Sequence, residues 1–353
     1  MKTKRFILLA VAASALSACS FDNRELEYGT DSPVAFGVTT SLGVTSTVTR
    51  GGGATADLQS TQLNESSTPA VYVVKHSTSS PTYDNHNYAN IEVHPTPSVS
   101  GNSMDLMNTT TTTSKQFFYF PQDKTSVDVY VYAPRKDTSP SLTAMPISVQ
   151  PDQSTDANYL ASDFVFGKTS EVAYNTSTVS VQLYHALSKL KLIIKDAQNE
   201  QNVTGIKKIT LGTNESKILL DANVNLDGTV TENKTGDILN HVSMTSSSNE
   251  TNDAVVTTKS SGSEGIITFF EDNSAWTANK EPIAVIPPQV LTNKTFTIDF
   301  GGDSNKYTGT FGDLTLAAAT EYTITITLNQ GTLDITTVSI APWATGADTV
   351  SVE

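Results

Sequence analysis

Short runs of alternating or β-branched hydrophobic residues recur along the chain between clusters of Gly, Asn, Asp, Ser and Pro. This pattern is typical of β-strands joined by turns, and helical periodicity is scarce. More than a dozen such runs favour an all-β protein built from antiparallel β-sandwiches. The predicted strands are 34–38, 70–74, 117–120, 127–133, 179–184, 190–194, 206–211, 217–220, 266–270, 283–286, 296–300, 322–328, 333–340 and 349–352.

The same pattern predicts which side of a strand is buried and which segments are loops. In 127–132 (VDVYVY), alternate side chains are expected to face the core and solvent, as in a half-exposed strand. Residues 41–67, 109–114 and 245–258 are rich in small polar residues and are expected to lack regular structure.

The length of the chain favours two domains. The boundary is expected near residue 186, where one run of strands ends and another begins. The prediction is therefore two tandem β-sandwiches, at 51–185 and 186–353.

The N-terminus has the pattern of an export signal. Lys2, Lys4 and Arg5 precede an apolar stretch at 6–16, which is too short to span a bilayer. Small residues then lead to Cys19, which is similar to a bacterial lipobox. Residues 1–18 are therefore predicted to be a lipoprotein signal peptide, and lipid (palmitate) on Cys19 is predicted to tether the protein to a membrane. An ordinary signal peptide with a chance cysteine is the alternative.

The net charge limits which partners the protein can bind, and the cysteine content limits which cross-links it can form. The formal net charge of −14 repels phosphate backbones, so no nucleic-acid partner is expected. Because Cys19 is the only cysteine, the fold is expected to contain no disulfide.

Candidate chemistry is sparse. His76, His86 and His94 are spaced unlike a compact metal motif, and no nucleophile or phosphate-loop signature is present. The acidic segment 221–228 is interpreted as a hairpin turn rather than a calcium loop. Trp343 is expected to plug a sandwich end rather than form a ligand platform. No enzyme activity, metal or cofactor is predicted.

The order of several segments resembles the Bacteroidales fimbrillin family, over most of the chain. Each segment is weakly specific alone, but their order and spacing are more so. One departure is Ala319-Thr320, where the family often has glycine. The segments are the Cys19 lipobox, 34–36 (VAF) followed by 49–50 (TR), 127–134 (VDVYVYAP), 185–190 (HALSKL), 286–289 (IPPQ), and 331–333 (GTL) leading to 340–343 (IAPW).

The resemblance implies transthyretin-like or Greek-key sandwiches and assembly by strand exchange. It implies that residues 19–50 form a lipidated propeptide, removed when an arginine-specific protease cuts after Arg50. The exchangeable strand would lie at about residues 33–42, where Val34, Phe36 and Val38 share one face by the period of two. The donor strand of a neighbouring subunit would come from the C-terminus, with candidate residues Val338, Ile340, Val350 and Val352.

The function implied is a structural pilus subunit that supports adhesion and partners with copies of itself or related pilins in a head-to-tail filament. It would reside in the cell outer membrane and the surface fimbrium. The alternative is a non-polymerising surface lipoprotein that binds glycans, with Tyr83, Tyr88 and Trp276 as a sugar platform. A secreted hydrolase is a third option, for which no residue set stands out.

The distribution of arginines fits cleavage at Arg50. Arg135 is the only arginine after Arg50 and would need protection from the protease. The small number of arginines can also simply reflect an acidic secreted protein.

Overall fold

β-Strands make up nearly all the regular structure of the computed structural model, so the predicted all-β class is confirmed. The structure describes residues 33–42, 63–98, 103–108, 114–138, 140–198, 203, 205–235, 238–245, 255–271, 282–302, 305–310, 312–329, 332–343 and 350–351. Residues Val34–Glu353 belong to one compact unit. Within the described part, no helix is long and apolar enough to cross a membrane.

The first half of the chain contains twelve strands and one short helix among its described residues. They are β1 (Ala35–Leu42), β2 (Ala70–Lys75), β3 (Thr82–Tyr83), β4 (His86–Asn87), β5 (Ile91–Glu92), β6 (His94–Pro97), β7 (Ser103–Met107), β8 (Phe117–Tyr119), β9 (Val127–Ala133), β10 (Met145–Ser148), α1 (Asp156–Ser162), β11 (Val165–Val172) and β12 (Thr178–His185).

The second half adds seventeen strands over the described residues. They are β13 (Ser188–Asp196), β14 (Lys208–Leu211), β15 (Ile218–Leu219), β16 (Asp221–Val224), β17 (Thr229–Thr235), β18 (Ile238–Thr245), β19 (Val256–Thr258), β20 (Glu264–Gly265), β21 (Ile267–Glu271), β22 (Ile283–Ile286), β23 (Val290–Leu291), β24 (Thr295–Asp299), β25 (Lys306–Thr310), β26 (Leu314–Thr315), β27 (Thr320–Asn329), β28 (Thr332–Pro342) and β29 (Val350–Ser351).

A nine-stranded sheet organises the first half. Its order is β5-β2-β9-β11-β12-β1-β7-β6, and β8 also pairs with β1. All of its pairings are antiparallel except that of β1 with β12, which is parallel. β1, the first strand among the described residues, is therefore an inner strand of the sheet.

The second half is arranged around three sheets and several two-stranded ribbons. The sheets have the orders β22-β13-β27-β28-β29, β21-β14-β24-β25 and β10-β16-β19. Because β10 pairs with β16, a strand from the first half completes a sheet of the second half. The division into two tandem sandwiches, the Greek-key detail and the boundary near 186 stay predictions.

The expected half-exposed strand at 127–132 is wrong, because β9 is buried along its whole length. Val127, Val129 and Val131 contribute to one hydrophobic core, whereas Tyr130 and Tyr132 point into the other. β9 lies between β2 and β11, with apolar residues packed on both faces of the sheet. Tyrosine therefore marks a second buried face rather than a solvent face.

Three loop expectations also need correction. The segment 41–67 begins inside β1, and the segment 245–258 includes the end of β18 and all of β19. A turn does follow β16, where the N–H of Gly228 donates to the Asn225 carbonyl over 3.1 Å. It is not the turn of a hairpin, because β16 pairs with β10 and β19 while β17 pairs with β18.

Candidate functional site: the slot around the first strand

β1 occupies a slot with hydrogen-bonding neighbours on both sides. Residues 37–42 pair in parallel with 178–183 of β12. On the other edge, residues 39–41 pair with β7 and residues 35–37 pair with β8, both antiparallel. At the entry to the strand, the N–H of Phe120 donates to the Val34 carbonyl over 2.9 Å.

One face of β1 is anchored in a hydrophobic core. Phe36, Val38 and Leu42 are almost completely buried there, and Val34 packs against the edge of the same cluster. The Phe36 ring lies 4.8 Å from that of Phe120 and 5.8 Å from that of Phe118, measured between centroids. The period-two face predicted for Val34, Phe36 and Val38 is thus the face that packs, whereas their exchange stays a prediction.

The opposite face of β1 is polar and half-buried at Thr39 and Ser41. The Ser41 hydroxyl donates to Gln182 Oε1 over 2.8 Å, linking the strand to β12 by a side-chain bond. Next to Thr39 on β7, Asp105 forms an ion pair of 3.0 Å with Lys115. This face fixes the register through polar contacts while the other face supplies apolar burial.

The alternation that makes this face continues beyond the three residues singled out from the sequence. Thr40 and Leu42 lie on the same buried face and were missed as site residues. The hydrophobic alternation of Val34, Phe36 and Val38 is interrupted by the polar Thr40 before Leu42 restores it, so the sequence signal for these two positions was weak.

The C-terminal candidates lie in a different sheet. Val338 and Ile340 are partly buried in β28 and pack against the larger core. The short strand β29 pairs with β28 through Ile340–Val350 and Ser339–Ser351. Their use as a donor strand stays a prediction.

A buried polar cluster holds the end of β28. The Trp343 indole stacks on the His185 imidazole, whose Nδ1 is 2.8 Å from the Asp163 carboxylate. Lys189 Nζ lies 5.6 Å from the Trp343 ring centre and 2.7 Å from Glu321 Oε2. Trp343 is therefore a packing residue, as predicted, rather than an exposed ligand platform.

A second polar cluster joins β9 and β11 to His76, which directly follows β2. His76 Nδ1 is 2.9 Å from Asp128 Oδ1, and its Nε2 is 3.2 Å from Glu171 Oε1. The hydrogen bond and charge of Asp128 are the main causes that raise the pKa of His76, with a smaller contribution from Glu171. Both ring nitrogens face carboxylates, an arrangement that favours the imidazolium over a metal ligand. Among the described residues, no set of three or more His, Cys, Asp or Glu side chains is arranged to hold a metal ion.

The proposed sugar platform is wrong for two of its three members. Tyr83 and Tyr88 are only 8% and 7% exposed, because their rings pack against each other at a centroid distance of 5.4 Å and belong to the core around β1. Trp276 lies outside the described residues.

The remaining sequence predictions lie outside the part of the chain that the structure describes. They are the signal peptide 1–18, the lipidation site Cys19, the cleavage site Arg50, the donor candidate Val352 and, of the predicted loop 109–114, residues 109–113.

The fimbrillin-like family model matches residues 56–343, and the chain belongs to this family. Membership supports a structural role as a subunit that assembles with related pilins in a fimbrium at the cell surface. No curated protein matches the chain.

Two solved structures show the same fold. One is a candidate cell adhesion protein from Bacteroides uniformis, with 15% identity and a TM-score of 0.56 over 90% of this chain and 100% of that one. The other is a candidate cell adhesion protein from Bacteroides ovatus, with 13% identity and a TM-score of 0.57 over 88% of this chain and 98% of that one. At these identities the likeness concerns the fold alone.

Proposed function

We propose that the protein is a structural pilus subunit that is exported as a lipoprotein through Cys19 and polymerises by strand exchange after cleavage at Arg50. Loss of residues 19–50 removes the lipid together with β1. The terminal strand of a neighbouring subunit then fills the slot, and the resulting surface filament supports adhesion.

The observation that carries this proposal is the interior position of β1. A strand removed from a sheet edge exposes one row of backbone groups, whereas removing β1 exposes facing rows on β12 and on β7 with β8. Refilling the slot buries side chains in the place of Phe36, Val38 and Leu42, each worth roughly 1.5–3 kcal/mol before entropy. Each restored ladder bond adds about 0.5–1.5 kcal/mol.

Residues 344–353 have a length and pattern suited to a donor strand. Residues 344–353 span about 33 Å when extended, enough for the slot of the eight-residue β1. Val350 and Val352 alternate with polar residues, as a strand with one buried face requires. Because β29 pairs with β28 at two positions on a sheet edge, little is lost when it leaves.

Exchange between a slot on one subunit and a tail on the next is a head-to-tail contact. Such a contact builds a filament where the rotation between successive subunits does not close a ring. This is β-augmentation, and its free energy comes from burial and backbone pairing without ATP.

The decisive test is Arg50→Ala, with Arg24→Ala as the matched control. We expect the Arg50 variant to be exported and folded but to give no filaments by electron microscopy, while the Arg24 variant assembles normally. Normal filaments from Arg50→Ala would remove this residue from the mechanism.

Two further measurements separate the alternatives. Intact mass of surface protein should show a start at Gly51 without lipid, whereas a lipidated Cys19 with no trimmed form would favour a tethered, glycan-binding lipoprotein. Deleting residues 347–353 should leave a cleaved monomer, and filaments formed without this tail would assign the donor elsewhere.

A further inference from the structure

The buried face of β1 contains one polar side chain. Along the alternating positions Phe36, Val38, Thr40 and Leu42, only Thr40 is polar, and it is 1% exposed. Its register partners are Val181 on β12 and Met104 on β7, both fully buried. The Thr40 hydroxyl is therefore enclosed by apolar side chains.

Within the described residues, the Thr40 hydroxyl has no hydrogen-bond partner. By contrast, Ser41 on the polar face donates to Gln182. A buried hydroxyl that gives up water without gaining a partner weakens the folded state, by a factor of roughly 5 to 150 in the equilibrium constant. Valine is β-branched like threonine and has nearly the same shape, so the space at this position does not require a hydroxyl.

We propose that Thr40 destabilises the packing of β1 in its slot and so allows another strand to replace β1. The inference rests on the proposed strand exchange. It identifies a side chain that makes replacement of β1 by a donor more favourable than the reverse. Replacing one strand by another restores a similar number of ladder bonds, so side-chain differences decide which strand wins. A donor from a second copy of this chain that places an apolar residue opposite Val181 and Met104 avoids the enclosed hydroxyl and displaces β1.

The stability of the uncut full chain tests Thr40 directly. Thr40→Val should increase the folded-to-unfolded ratio about 5- to 150-fold in urea denaturation. The matched control is Thr39→Val, on the half-buried face of the same strand, which should change the ratio by less than about twofold. Thr40→Ser keeps the hydroxyl but loses a methyl group, and should be less stable than the parent chain.

The exchange step is tested on the same variants after cutting at Arg50 with an arginine-specific protease. Release of the β1 fragment, driven by a synthetic peptide of residues 344–353, should be about 5- to 150-fold slower for Thr40→Val than for Thr39→Val.

The outcomes distinguish this inference from the proposed function. If Thr40→Val is no more stable than Thr39→Val, the hydroxyl is not a weakness and the inference is overturned. If Thr40→Val is stabilised but neither variant releases its fragment after the cut, the direction-setting role is overturned and the proposed function fails with it. Slower release from the more stable Thr40→Val supports both.

Discussion

The His185 imidazole lies flat on the Trp343 indole, with ring centroids 3.6 Å apart and ring planes 9° apart. His185 is the last residue of β12, the strand that pairs in parallel with β1, while Trp343 directly follows β28. The backbone N–H of Trp343 donates to the Ala319 carbonyl over 2.7 Å. The stack thus connects the slot-bearing sheet to the point where the C-terminal tail begins.

We expect Trp343→Ala to lower the free energy of unfolding by about 3–5 kcal/mol, because it removes a large side chain from the core and leaves a cavity. Urea denaturation measures the change. Val290→Ala is the control, since Val290 is 55% exposed and its truncation should cost less than about 0.5 kcal/mol. Equal effects from the two variants would show that the stack does not stabilise the fold.

Gly167 on β11 is a second determinant of the sheet. A Cβ built at this position would lie 2.0 Å from the carbonyl oxygen of Gln182 on β12. Gly167→Ala therefore has to push β11 away from β12, and we expect a loss of about 1–3 kcal/mol or more in urea denaturation.

Gly312→Ala is the matched control for this substitution. Its added Cβ would have no atom within 4 Å. The control should be neutral or slightly stabilising, because alanine restricts the unfolded chain. An equally stable Gly167→Ala would contradict the close approach of the two strands.

The local pattern of hydrophobic residues predicts many of the strands of this fold. The runs 127–133 and 283–286 were predicted with the bounds that β9 and β22 have. Strands such as β6 (His94–Pro97) were missed because two prolines and a histidine give no alternating hydrophobic signal. Helix α1 was missed because it has only seven residues.

The sequence could not predict contacts between residues that lie far apart in the chain. Nothing in the pattern of 34–38 indicates that β1 pairs with β12, about 140 residues later, or that Thr40 would be enclosed.

The departure from the family's glycine at Ala319, by contrast, can be explained by the local backbone conformation. Its φ is 52°, in the left-handed region that favours glycine, so the family's frequent glycine fits the backbone better than alanine does.

The His76 cluster predicts a specific pH dependence. Because Asp128 and Glu171 raise the pKa of His76 above its ordinary value of 6.5, the folded state binds this proton more tightly than the unfolded state. The resulting stabilisation is complete below the unfolded pKa and is lost as the pH rises through the folded pKa. We expect His76→Gln to reduce the fall in urea midpoint between about pH 6 and 8.

His86→Gln is the control for that measurement. The His86 ring stacks between Tyr88 and Tyr119 rather than between carboxylates. Its substitution removes a histidine without removing an imidazole–carboxylate contact, so the effect of His76→Gln should exceed that of His86→Gln. A pH profile that is the same in His76→Gln as in the parent chain would rule out His76 as its source.

Arg135 is held in a way that hinders cleavage after it. Its guanidinium is 3.0 Å from Glu92 Oε2, and its backbone N–H donates to the Thr68 carbonyl over 2.7 Å. The next N–H, that of Lys136, donates to the Tyr132 hydroxyl over 3.3 Å. A protease needs both the side chain and the extended backbone, and here both are engaged in contacts within the fold.

We therefore expect Glu92→Ala to increase cutting after Arg135 by an arginine-specific protease, seen by mass spectrometry as a fragment that begins at Lys136. Glu215→Ala, which removes an exposed glutamate in a turn, should not produce this fragment. If Glu92→Ala stays intact at Arg135, the guanidinium contact is not what protects the bond, and the backbone hydrogen bonds alone would have to do so. Cutting at Arg135 in the parent chain at the rate seen in the variant would contradict protection altogether.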